Sequence, residues 1–212
     1  MKITKYEHAC LDIEVDGKRL IIDPGVFTTS VPNFDNITAV VVTHVHPDHL
    51  DVEKLKAIYL QNPEVLIYTV QAVADQVKDT VPLTVVTGGH KTTTGPFQLE
   101  FAGGQHAVIH KSYPTTDNVG VTVNSKLYYP GDSFSVPHAP TEVLAVPASA
   151  PWLKLGEAMD FIVALKPKTV FPTHNAILSD IGTTIHGNML TSAAAAVAAN
   201  YITLKPGESI TV

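Results

Sequence analysis

Apolar and polar residues alternate in short blocks through most of the chain, with a helical period interleaved at intervals. Residues 9–15 alternate apolar with acidic positions, Asp16-Gly17 supplies a hairpin turn, and residues 19–22 read as the returning strand. Asp23-Pro24-Gly25 breaks that strand. Residues 38–43 (Thr-Ala-Val-Val-Val-Thr) are a continuous run rich in β-branched side chains, which predicts a buried strand rather than an edge. Helical spacing takes over at 51–60, where Val52, Leu55, Ile58 and Tyr59 share a face, and Asn62-Pro63 ends it. Strand character returns at 65–69 and 84–87, on either side of a short helix expected at 71–78.

The second half opens as antiparallel sheet. Residues 97–101 and 119–123 alternate, Asn124-Ser125 turns, and 126–129 returns before Pro130-Gly131-Asp132. A further strand is expected at 143–146, a helix at 155–165 ending at Lys166-Pro167, and a buried strand at 169–171. The alanine-rich stretch 184–200 predicts the last helix, and 201–212 a closing hairpin around Pro206-Gly207. No internal repeat, low-complexity tract or linker interrupts the pattern, so one domain over residues 1–212 is expected. Many strands with helices in blocks predict two packed sheets carrying helices outside.

Composition narrows the class. At 212 residues, 45% hydrophobic and only 16% charged, the chain is neither disordered nor a coiled coil. A net charge of −6, with Arg19 the one arginine, argues against a nucleic-acid surface, which needs clustered Lys and Arg to neutralise phosphates. No apolar run reaches the length needed to span a bilayer, and Met1–His8 carries no apolar leader segment. The single cysteine, Cys10, excludes an intramolecular disulfide, lies in an apolar strand and reads as core; the expected setting is a reducing cytoplasm.

Ten histidines are the unusual number, and their placement carries the chemistry. His44-Val45-His46-Pro47-Asp48-His49 falls where the 38–43 strand ends and a helix begins. If strand geometry persists through position 46, His44 and His46 share a face. Pro47 then removes a backbone donor and turns the chain, so Asp48 and His49 emerge at another angle. Such a loop suits two adjacent metal ions, unlike a His-Glu-x-x-His helix. Capping by Asp48 would explain one residue of the block and none of its three histidines. One loop cannot complete two sites, and further donors stand after later strands: His106 beyond Gly103-Gly104, Asp132 in Pro-Gly-Asp-Ser, and His174 in Pro-Thr-His-Asn.

With His8-Ala9, Asp23-Pro24-Gly25, Pro-Gly-Asp and Pro-Thr-His in this order, the chain resembles the metallo-β-lactamase superfamily. Within it, the chain looks most similar to the L-ascorbate-6-phosphate lactonase-like branch of metal-dependent hydrolases. The resemblance implies an α/β (α+β) fold, a four-layer αββα sandwich. It implies His44, His46 and His106 at a first metal, and Asp48, His49 and His174 at a second. Asp132 would bridge them, and Asp23 would orient ligands through hydrogen bonds. Two divalent ions, zinc or manganese ahead of iron, would lower the pKa of a shared water and generate a bridging hydroxide. Asp132 would position the pair and Asp48 manage the proton.

The expected reaction is hydrolysis of a lactone, ester or phosphodiester of a small metabolite, with neither nucleic acid nor membrane as partner. Self-association into a homo-oligomer is compatible with this reading. A single arginine makes a bidentate phosphate clamp a poor expectation. A nuclease and a metal-binding or sensory module without turnover are the competing readings; diiron redox chemistry would need a flavin domain absent from this chain. Candidate pocket residues are His186, reaching in from a loop before the last helix, together with His110, Tyr113 and Trp152. His8 is expected to pack beneath the site, and His90 and His138 to lie on exposed loops. Specificity is expected from loops 26–36, 110–118 and 134–140.

Overall fold

The computed structural model describes residues 1–31 and 33–212; Pro32, inside the expected specificity loop 26–36, lies outside the described residues. The first half builds β1 (Lys2–Lys5), β2 (Leu11–Val15), β3 (Lys18–Ile22), β4 (Ile37–Val42), α1 (Val52–Gln61), β5 (Leu66–Thr69), α2 (Gln71–Val77) and β6 (Thr84–Val85). The second half builds β7 (Lys91–Thr94), β8 (Phe97–Gln105), β9 (Asp117–Val123), β10 (Leu127–Tyr129), β11 (Val143–Pro147), α3 (Leu155–Leu165), β12 (Thr169–Thr173), α4 (Asp180–Ala196), β13 (Asn200–Tyr201) and β14 (Ser209–Thr211).

These strands form two mixed sheets of seven, ordered β14-β1-β2-β3-β4-β5-β6 and β13-β12-β11-β10-β9-β8-β7. Each sheet is antiparallel in one half and parallel in the other: β3 to β6 run parallel in the first, β10 to β13 in the second. The expected αββα sandwich is the observed one. Successive side chains of the second sheet alternate between two buried clusters, as two covered faces require. Leu127, Tyr129, Val143, Ala145 and Phe171 turn into the cluster shared with the first sheet and with Leu55 and Ile58 of α1. Tyr128, Leu144, Val146 and Val170 turn outward onto Ala158, Phe161 and Ile162 of α3 and Leu190, Ala193 and Ala194 of α4.

Local chemistry accounts for most element boundaries. Asp16 and Gly17 at φ +50° and +72°, and Asn124 and Ser125 at +52° and +54°, adopt the left-handed pairs that two-residue hairpins demand. Asp51, not Asp48, caps α1, accepting from the Glu53 and Lys54 amides at 3.1 and 3.2 Å, which leaves Asp48 for other work.

Five expectations need correction. β1 and β7 form where no strand is expected, because Lys-Ile-Thr-Lys and Lys-Thr-Thr-Thr carry too few apolar side chains to announce one. β8 runs through Gly103 and Gly104 to Gln105, paired with β9 to the end, so the glycines do not break it. α4 starts at Asp180 because the Ser179 hydroxyl caps the Gly182 amide, and it ends at Ala196 rather than Asn200. The closing hairpin does not form: β13 extends the second sheet beside β12, whereas β14 pairs with β1 in the first. β4 ends at Val42, so His44 and His46 are brought together by the loop and not by strand alternation.

Candidate metal centre

The donors collect where strands of both sheets end. Asp23 follows β3, the His44–His49 loop follows β4, His106 follows β8, Asp132 follows β10 and His174 follows β12. Carboxyl ends of parallel strands are the usual place for a site in open α/β sheets, since the loops there diverge from a rigid scaffold. Gly25 seats the histidine loop: a Cβ on it would lie 2.0 Å from the Asp48 carbonyl oxygen, so only glycine permits this approach. Gly131, at φ +63°, does the same beside Asn118 and Thr43, and the Asn118 carboxamide oxygen accepts from the Asp132 amide at 3.0 Å.

Three sets of donor atoms lie within 4.8 Å of one another: His44, His46 and His106; His8, Asp48, His49 and His174; and His44, His49 and Asp132. Asp132 stands between the first two. Its Oδ2 lies 3.4 Å from His106 Nε2 and 3.1 Å from His174 Nε2, and its Oδ1 lies 3.2 Å from His49 Nε2. All the expected ligands are thus brought to one cluster, in the two groups anticipated, and His8 joins the second.

The imidazoles are held from outside. His49 Nδ1 is 2.6 Å from Asp23 Oδ2, His44 Nδ1 is 3.0 Å from Thr43 Oγ1, His106 Nδ1 is 2.5 Å from the Ala107 carbonyl, and His174 Nδ1 faces the Ser149 carbonyl. Asp23 is fully buried and accepts as well from the Thr43 amide (2.7 Å), the Thr43 hydroxyl (2.7 Å) and the Tyr129 hydroxyl (2.9 Å). The Trp152 indole donates to Asp132 Oδ2 at 2.7 Å, and its ring stands edge-on to His106.

The donor set fits divalent cations. His49 Nε2, His106 Nε2, His174 Nε2 and Asp132 Oδ1 are buried and have no hydrogen-bond partner, although they approach within 3.5 Å of one another's residues. Close approach without hydrogen-bond alignment is what atoms directed at a common centre show, and buried polar atoms otherwise find partners. Protonation has the same electrostatic cause. Burial alone would lower His174, but the adjacent Asp132 carboxylate outweighs it and raises the group to about 9. Burial likewise opposes a charge on His49, yet Asp132 and Asp23 hold it well above the usual imidazole range. Burial pushes Asp132 up, and His49 and His174 more than reverse it. Buried carboxylates of this kind demand positive charge, from protons or from metal.

The family model of the beta-lactamase superfamily domain matches residues 2–174. The chain belongs to that superfamily. It is 34% identical over 196 residues to Protein Rv0786c of Mycobacterium tuberculosis, covering 90% of this chain and 92% of that one. It is 41% identical over 80 residues to a UPF0173 metal-dependent hydrolase of Flavobacterium johnsoniae, covering 32% and 35% of the two chains. Among solved structures it is similar in fold to Igni18, a metallo hydrolase of the archaeon Ignicoccus hospitalis, with a TM-score of 0.75, 18% identity, and 100% and 97% of the chains covered. The superfamily match spans every donor of the cluster.

The weaker candidates divide. Trp152 reaches Asp132, as described. His186 lies within α4, not in a loop before it, and its Nδ1 is 2.7 Å from the Ala148 carbonyl, which turns it away from ligation through that nitrogen. His110 is exposed and pairs with the Ser112 hydroxyl in its own loop, and Tyr113 is 63% exposed; neither belongs to the donor groups among the described residues. His90 and His138 are exposed, and Cys10 is buried with its thiol pushed up by burial. Tyr129, Thr43 and Asn118 carry no sequence signal of their own: Tyr129 bonds Asp23 from 106 residues away, and Thr43 and Asn118 bond Asp23 and Asp132 only once the strands are placed. A cavity of about 900 Å³ lies at the far ends of β4 and β5 beside Thr38, Asn62 and Leu66, and contains no residue of the cluster. No described helix is long and apolar enough to cross a membrane.

Proposed function

We propose that this chain is a metal-dependent hydrolase with two divalent ions, opening a lactone or cleaving an ester of a small metabolite. The observation that carries it is the meeting of two buried donor groups at one carboxylate, Asp132, with unpartnered imidazole nitrogens directed between them. His44, His46 and His106 would hold one ion, Asp48, His49 and His174 the other, and Asp132 would bridge. When bound, such ions supply Lewis acidity and an acidified water at neutral pH. The protein's own residues do the rest. Asp23, Thr43, Ala107 and Ser149 fix the ring orientations through Nδ1. Asp48, with a side chain 20% exposed where Asp23 and Asp132 are buried, is the carboxylate placed to exchange a proton with substrate or solvent. Its own basicity is low: burial raises it, but the His174 and His8 partners hold it well below the usual carboxylate range.

Two features favour a carbonyl electrophile over a phosphate. Arg19 is committed to Asp12 at 2.6 Å and to Asn33 at 2.8 Å, so it supplies no clamp for a phosphate. The cluster is flanked instead by aromatic rings: Phe27 stands 5.1 Å from His8, and Phe134 stacks edge-on with Trp152. The metal-dependent hydrolase name of the Flavobacterium relative supports hydrolysis, and the resemblance to the lactonase-like branch suggests the lactone. The test is turnover of lactones, nitrophenyl esters and bis(p-nitrophenyl) phosphate by wild type and Asp132→Asn, after reconstitution with zinc or manganese. Lactone or ester hydrolysis that exceeds diester hydrolysis, and falls at least about 100-fold in Asp132→Asn, is expected. Full metal loading with no turnover across the panel would favour a binding module.

A further inference from the structure

The histidines of the centre differ in which nitrogen is anchored. His44, His49, His106 and His174 are each held through Nδ1, which leaves Nε2 for the interior. His8 is inverted. Its Nε2 makes a 3.0 Å hydrogen bond to Asp48 Oδ2, and its Nδ1 is buried with no partner. A ligating imidazole almost always donates its second N–H to an acceptor, and His8 has none to offer it to. The bond to Asp48 requires Nε2 to carry the proton, so in the neutral ring Nδ1 is a buried bare lone pair.

We propose that His8 is a positioning residue that aims the Asp48 carboxylate at the second ion, and is not itself a ligand. The proposal deepens the two-ion reading and rests on it. The fold goes to some length to place this ring. His8 adopts a left-handed φ of +60° in the turn after β1, and its carbonyl accepts from the amide of His174, itself at φ +57°. Non-glycine residues rarely adopt that conformation, so two of them joined by one hydrogen bond mark a geometry maintained against local preference. The ring then lies 3.9 Å from the His174 ring and 5.1 Å from Phe27, which shield the bond to Asp48. Asp48 needs such a holder: it is the most exposed of the carboxylates at the centre, and it follows Pro47 in a loop with no strand to fix it.

The experiment separates the hydrogen bond from the packing of the ring. Apo-protein is titrated with zinc against a chromophoric chelator, and with cobalt to follow visible absorption, for wild type, His8→Phe and His8→Gln. Phenylalanine keeps a ring against His174 and Phe27 without the donor; glutamine returns an N–H near the place of Nε2 without the ring. Circular dichroism establishes that each variant is folded. Wild type is expected to bind about two equivalents, His8→Phe to bind the second about 10–100-fold more weakly, and His8→Gln to stay within about threefold of wild type. The cobalt spectrum of the second equivalent should change in His8→Phe alone. Near-wild-type binding by His8→Phe with loss in His8→Gln would assign His8 to packing. Equal loss in both would make it a ligand. No loss in either would remove the role. Each of these, with two equivalents in wild type, overturns the proposal and leaves the two-ion reading standing. One equivalent in wild type overturns both.

Discussion

Asp23 shows how much a single carboxylate can organise at this centre. It is fully buried, sits at φ +48° immediately after β3, and accepts four hydrogen bonds, from His49, twice from Thr43, and from Tyr129. A carboxylate can take all four; a carboxamide of the same shape offers one acceptor oxygen and puts an N–H where a donor already points. Asp23→Asn is therefore expected to weaken zinc binding about 10–100-fold through misorientation of His49, as read by chelator competition. The reverse, an unchanged affinity, would reduce Asp23 to a turn residue before Pro24. At this scale the sequence was unevenly legible. His44 to His49 announces itself because four donors and a proline fall within six residues, and Asp132 and His174 stand out beside Pro-Gly and Pro-Thr. Tyr129 does not, since its partner Asp23 lies 106 residues away and a tyrosine inside an apolar strand looks like core. The position of His8 beneath the site is expected from the sequence, but its bond to Asp48, 40 residues on, has no sequence signal.

Elements were legible where side-chain burial dictates their period, and obscure where pairing does. α3 spans Leu155–Leu165 as the apolar spacing predicts, with Lys166 at φ +50° ending it. β1 is held by neighbours on both sides, β2 and β14, and not by its own hydrophobicity. It pays for that position at Lys5, which is 1% exposed and whose ammonium donates to the Tyr6 carbonyl at 3.1 Å. Burial lowers Lys5 from 10.5 to about 8, against the opposing influence of Glu7 and Cys10. The unfolded chain thus holds this proton more tightly than the folded one. The cost is fully present below pH 8 and is relieved as pH rises from about 8 to 10.5. A shift of this size corresponds to roughly 3 kcal/mol. Lys5→Met should therefore be more stable than wild type in urea at pH 7, and the advantage should shrink by pH 10. A constant difference across that range would mean that the ammonium is not the source of the cost.

On the scale of the molecule, the two sheets share one arrangement: antiparallel at one edge, parallel at the other, with the donors at the strand ends where the sheets meet. Asp23, His44, His46, Asp48 and His49 come from the first sheet, and His106, Asp132 and His174 from the second, so neither sheet holds a complete set. Ions bound there would join the halves of the sandwich, and anything that binds only the folded state stabilises it. The two donor groups are implied by the family resemblance that the motifs carry, whereas the paths of β13 and β14 into separate sheets have no such signal. The former follows motifs, and the latter follows edge pairing that residues 201–212 do not encode locally. The central claim is a two-ion centre, and the most direct measurement is elemental analysis of metal per chain in protein purified without chelator, alongside His46→Ala. About two equivalents in wild type, falling to about one in His46→Ala because His44 and His106 alone cannot complete their site, is the predicted result. Absence of bound metal in wild type, even after reconstitution with excess zinc, manganese or iron, would contradict it.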